Sequence, residues 1–76
     1  MRSPTARNAL LAPRWTLTPR ETEVLEHVTM GLSNRAIAAK LCCGERTVES
    51  HVTRLLWKSG CESRSQLVAQ FWAEPL

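Results

Sequence analysis

Four stretches of the chain place apolar residues at helical spacing, and none alternates as a strand would. The clearest is GERTVESHVTRLLWKSG, from Gly44 to Gly60. Val48, Val52, Leu55 and Leu56 stand at i, i+4, i+7 and i+8, one apolar stripe. Arg46, Glu49, Ser50, Thr53 and Trp57 stand at i, i+3, i+4, i+7 and i+11, a second stripe turned away from the first. Its side chains can donate, accept or stack. The spacing predicts a helix over about 45–59, roughly 21 Å long, closed by Gly60. A helix of that size fits the major groove of DNA.

The other three helices announce their ends as well as their faces. Thr18-Pro19-Arg20-Glu21 combines an N-cap, a proline at the first helical position and the glutamate of a capping box. Val24, Leu25 and Val28 form its inner face, and Gly31 followed by Leu32 ends it, so a helix is expected over 19–30. Ser33 caps a second, thin, alanine-rich helix to Leu41, with Ile37, Ala38 and Leu41 inward. Cys42-Cys43-Gly44 then breaks the chain before the helix described above, which is a helix-turn-helix pattern. Ser63 with Gln66 is a second capping box, opening a helix over 64–73 with Leu67, Val68 and Phe71 inward and Pro75 beyond its end. The expected fold is all-α, a small four-helix bundle containing a helix-turn-helix. The ordered domain is expected over 16–74. Residues 1–15, with Pro4, Pro13 and no period, read as a flexible basic arm or linker, and Trp15 as the point where it docks.

Charge changes this picture in one respect. The chain carries a net charge of +3, and Arg2, Arg7 and Arg14 in the first 15 residues account for it. The rest holds seven basic and seven acidic residues. The basic arm has two readings, a solubilising tail or an arm on DNA phosphates. Three cysteines, Cys42, Cys43 and Cys61, lack metal-ligand spacing and are expected to be reduced and buried as small apolar side chains. No run is long enough for a membrane span or a secretory signal, which makes the cytoplasm the expected compartment. No nucleophile is pinned next to a base, so no enzyme is expected, and no cofactor, metal or small-molecule ligand is evident.

These residues together carry a family likeness. LTPRETEVLEHVTMGLSNRAIAAKL, then TVESHV, then KSGCESR, resembles the LuxR-type (GerE-like) helix-turn-helix domain of bacterial transcription regulators. The likeness covers about residues 16–73. It implies sequence-specific binding of double-stranded DNA, with the third helix of the bundle in the major groove and a homodimer formed through the fourth. Carried over by position, it places Glu49, Ser50 and Thr53 toward the bases. Ser33, Asn34, Arg46, Thr47, Arg54 and Lys58 fall toward the DNA backbone.

Three positions depart from the family's usual pattern. Glu49 stands where a lysine is common; it repels phosphate but can accept a hydrogen bond from cytosine N4. Ser59 replaces a leucine, an apolar loss of about 2–3 kcal/mol if the site is fully buried. Gly44 replaces a serine N-cap, worth a few tenths of a kcal/mol. Some residues have two readings. Arg46 is a phosphate contact or a surface partner of Glu49 at i+3. Trp57 packs on the sugar-phosphate backbone or covers the junction with the last helix. His51 is an interhelical residue or a phosphate contact, and His27 a solvated one. The competing function is a protein-interaction module of the same fold that binds a partner regulator rather than DNA, favoured by Glu49 and by the balanced charge.

Overall fold

The computed structural model describes residues 4–73, five helices in chain order: α1 (Pro4–Trp15), α2 (Pro19–Thr29), α3 (Asn34–Leu41), α4 (Glu45–Ser59) and α5 (Arg64–Ala73). Arg2 and Pro75 lie outside the described residues. The last four helices fall where caps and periodicity put them. At α2 the capping box is complete, with the Glu21 N–H donating to Thr18 Oγ1 at 3.1 Å and the Thr18 N–H to Glu21 Oε1 at 2.9 Å. Gly31 closes α2 at φ 89° and Gly60 closes α4 at φ 75°, left-handed positions that glycine adopts without strain. At α5 the box is rearranged. Gln66 N–H donates to Ser63 Oγ at 3.1 Å, but the Gln66 side chain accepts from the Glu62 N–H at 2.7 Å, one residue earlier than the pattern implies.

α2 is the hub and packs against all four other helices. Val24, Leu25 and Val28 of α2 meet Ile37 and Ala38 of α3, Val48, Val52 and Leu55 of α4, and Leu67 and Phe71 of α5 in one buried cluster. Leu41, Leu56 and Val68 pack on its margin, half-buried. A fully buried Leu or Val side chain contributes about 1.5–3 kcal/mol, so this cluster holds the bundle. Ser59 is only half-buried and donates to the Leu56 carbonyl at 3.3 Å, so its departure from leucine weakens α4 by less than a fully buried site would.

The first helix corrects the expectation of a flexible arm over residues 1–15. From Pro4 onward the segment is helical, and Arg7, Asn8 and Leu11 are buried against the bundle. Arg7 is 2 % exposed; its Nη1 donates to the Phe71 carbonyl at 3.0 Å, and its guanidinium lies 5.5 Å from the centre of the Trp72 ring. Asn8 Nδ2 donates to the Thr22 carbonyl at 2.6 Å, and Thr5 Oγ1 donates to Glu26 Oε1 at 2.5 Å. Pro13 lies inside α1, where it donates no backbone hydrogen bond, and the helix ends two residues later. The chain then turns through Thr16, a β-branched residue held in the left-handed region at φ 56°, an unfavourable conformation fixed by its surroundings.

Candidate nucleic-acid interface

α3, the turn at residues 42–44 and α4 form the helix-turn-helix. The left-handed residue of that turn is Cys42, at φ 55°, which ends α3; Gly44 is extended at φ −82° and caps α4 without a side-chain hydrogen bond. The cysteines divide by position. Cys61 is buried as expected and Cys43 is half-buried, but Cys42 is exposed, because a left-handed cap at the outer end of α3 turns its side chain outward. All three are free thiols.

α4 has 15 residues and its two stripes face opposite ways. Val48, Val52 and Leu55 are buried, whereas Arg46, Thr47, Glu49, Ser50, Thr53, Arg54 and Trp57 are all exposed. Arg46, Ser50, Thr53 and Trp57 run along the crest. Glu49 lies on one flank; Thr47 and Arg54 lie on the other. Among the described residues no ion pair joins Arg46 to Glu49, so the surface-pair alternative for Arg46 is not what the fold builds. Thr53 Oγ1 donates to the Glu49 carbonyl at 3.0 Å, which leaves its lone pairs and its methyl group facing out. Trp57 is 87 % exposed and does not cover the junction with α5.

The start of α3 adds a second polar group. Ser33 accepts from the Ala36 N–H at 3.2 Å and is itself exposed. Asn34 is half-buried, and its Oδ1 accepts from Arg64 Nη1 at 2.5 Å; Arg64 Nη2 donates to the Leu32 carbonyl at 2.5 Å. One guanidinium therefore ties the first turn of α5 to the first turn of α3 and puts positive charge beside an already positive helix N-terminus. The sequence reading missed this role of Arg64, and it also passed over Arg35 and Lys40. Both are exposed on α3 with no ion-pair partner among the described residues. The signal was there for Arg35, which follows Asn34 in the first turn of a helix expected to approach phosphate.

Lys58 departs from its expected place among the backbone-facing residues. Its Nζ lies 2.6 Å from Glu21 Oε1 and donates to the Thr16 carbonyl at 3.0 Å, so the ammonium is drawn back toward the start of α2. Glu21 is 1 % exposed. Burial opposes its ionisation, but the hydrogen bonds from Lys58 and Thr18 and the charge of Lys58 outweigh that and hold its pKa below the ordinary 4.5. The two histidines have structural surroundings. His27 Nδ1 lies 2.7 Å from the Glu23 carbonyl, while His51 is half-buried with Nδ1 sealed from solvent and without a hydrogen-bond partner among the described residues. No helix among the described residues is long and apolar enough to cross a membrane.

A buried-backed, polar-crested helix held behind a short turn defines the class as a helix-turn-helix domain. The model of a family described as bacterial regulatory proteins, luxR family, matches residues 15–71. The chain belongs to that family and is a DNA-binding domain of a bacterial transcription regulator. It is 51 % identical over 51 residues to the response regulator Rre1 of Synechocystis, covering 67 % of this chain and 22 % of that protein. It is 47 % identical over 51 residues to the transcriptional regulatory protein YxjL of Bacillus subtilis, covering 67 % of this chain and 23 % of that one. Against the probable HTH-type transcriptional regulator GfsR of Streptomyces halstedii it is 33 % identical over 73 residues, 96 % of this chain and 30 % of that protein. The chain thus spans less than a third of the length of each of these relatives. No solved structure gives a significant match.

Proposed function

We propose that α4 lies in the major groove of double-stranded DNA and reads its sequence through Glu49, Ser50 and Thr53. Ser33, Asn34, Arg46, Thr47 and Arg54 face the sugar-phosphate backbone and set the register. The observation that carries this reading is the division of α4: one stripe buried but for the half-buried Leu56, the other face exposed, with Arg46 and Arg54 in no ion pair among the described residues. Lys58 drops out of the set because its ammonium already serves Glu21 and Thr16. Asn34 takes part through its amide N–H groups, since its Oδ1 is engaged by Arg64. The first turn of α3, with Ser33 at its cap and Arg35 exposed, suits a phosphate oxygen. By the family likeness two copies pair through α5, on a two-fold or repeated site, and act in the cytoplasm.

The competing reading is a module that binds a partner regulator. It rests on Glu49, a carboxylate placed where a groove helix gains from positive charge. A gel shift of the chain with random duplexes at low salt separates the two. A shift that fades with added salt, followed by enrichment of one site from a random pool, is expected. No shift with any duplex, at protein concentrations where the domain is folded, overturns the DNA reading.

A further inference from the structure

We propose that Trp57 is a DNA-contacting residue that lays its indole on the sugar-phosphate wall of the major groove. The contact supplies affinity that salt does not screen. It rests on the reading of α4 as the groove helix. Among the described residues Trp57 is the most exposed of the large apolar side chains, at 87 %. Trp15, by contrast, packs against the core, and Trp72 is 38 % exposed with its indole N–H on the Thr29 carbonyl at 3.4 Å. A bare indole joins a large apolar face to a hydrogen-bond donor, a pairing that suits a surface apolar on one side and wet on the other.

Its position says which surface. Trp57 continues the crest of Arg46, Ser50 and Thr53, about 10 Å along the axis from Ser50. A recognition helix meets base edges with its N-terminal part, so a side chain two turns further on reaches the strand that borders the groove. Arg54, one turn back, faces the same border. The indole N–H has no acceptor among the described residues, and a phosphate oxygen would supply one. The charge balance gives the contact a purpose. Of the seven basic side chains over residues 16–76, Arg20, Lys58 and Arg64 are engaged within the fold, which leaves four at most for phosphate, and the counterion-release term scales with that number. An apolar contact to deoxyribose faces adds affinity without adding charge.

The test uses the 76-residue chain, a labelled duplex and two readouts, anisotropy and tryptophan emission. W57A is expected to weaken binding about tenfold on specific and random duplexes alike. The slope of log affinity against log salt should not change, because no counterion is released at this contact. W57F should keep most of the affinity but lose the emission change that the wild type shows on adding duplex. Thermal unfolding of both variants should match the wild type, since the side chain is outside the core. Duplex binding with equal affinity by W57A and wild type, or a wild-type emission unmoved by bound duplex, overturns the inference and leaves the groove reading standing. A drop in the salt slope in W57A overturns it too. Absence of any duplex binding by the wild type overturns both.

Discussion

Arg7 and Arg54 both sit on helices packed against the bundle, and the fold treats them in opposite ways. On α1, Arg7 is sealed at 2 % exposure, spanning to the Phe71 carbonyl and the face of Trp72. On α4, Arg54 is exposed and has no ion-pair partner among the described residues. The first fastens a helix to the bundle; the second is open to a phosphate. A count of positive charges assigns both to nucleic acid, and only one is in a position to reach it. The same division recurs at Lys58 and Arg64, whose cations turn inward to Glu21, Asn34 and backbone carbonyls while Arg35, Lys40 and Arg46 point out. Inward cations tie helices to one another, and the outward ones are left for the proposed binding face. Each substitution below removes a member of one group, and the two groups should fail differently.

The largest effect is expected at Arg7. Arg7→Ala leaves a buried void, strips the Phe71 carbonyl of a charged donor and removes the cation from Trp72. A loss of about 3 kcal/mol in unfolding free energy is expected, read as a shift of the denaturant midpoint. DNA affinity at temperatures where the variant is folded should stay near the wild type. An unmoved midpoint would mean that α1 is docked by Leu11 and Asn8 alone.

Glu21 comes next and adds a pH signature. Glu21→Gln keeps the size of the side chain but removes the charge that Lys58 meets, and about 2 kcal/mol of stability should go with it at neutral pH. Because the native pKa is lowered, the unfolded chain takes up the proton first. The stabilisation is therefore fully present above 4.5 and is lost as pH falls below that value through the native one. The stability gap between wild type and variant should be constant from pH 7 to about 5 and close below 4.5. A gap that is the same at pH 3 as at pH 7 would show that the Glu21–Lys58 pair does not stabilise the junction of α2 with α4.

These two sites also mark where reading the sequence stops working. The ends of α2, α3, α4 and α5 were legible because their signals are local: Thr18 with Glu21, Gly31, Ser33, Gly60 and Ser63 each act within one turn. The outward crest of α4 was legible for the same reason, as a period of 3.6 residues. α1 was not, because its proline-bounded sequence has no period and its anchor, the bond from Arg7 to Phe71, joins residues 64 apart. The partners of Lys58 and Arg64 are 37 and 30 residues away, and nothing in the local pattern announces either. Cys42 was misplaced because composition alone favours a buried thiol, while the left-handed cap decides where it points. Local rules find elements and faces; the inward-turned charges are a property of the packed bundle.

On the outer side the expected effects are smaller and concern binding. Arg54→Ala should weaken every duplex alike, by about 1 kcal/mol at moderate salt, and lower the salt slope by about one. Stability should be unchanged, in contrast to Arg7→Ala. A slope that does not move would place Arg54 outside the phosphate contacts and erase the distinction between the two arginines.

The smallest effect is expected at Thr53, and it tests whether the crest reads sequence at all. The hydroxyl proton is committed to the Glu49 carbonyl, so the groove is offered an acceptor and a methyl group. Those two features match an amino group on adenine or cytosine and the methyl of thymine, respectively. Thr53→Val keeps the shape and the methyl but removes the acceptor; Thr53→Ala removes both. If Thr53 reads an amino group, both variants should lose discrimination between the selected site and a one-base variant, by about 1 kcal/mol or less. If it reads a methyl, only Thr53→Ala should lose it. Unchanged discrimination in both variants would leave Glu49 and Ser50 as the reading residues and confine Thr53 to capping its own helix turn.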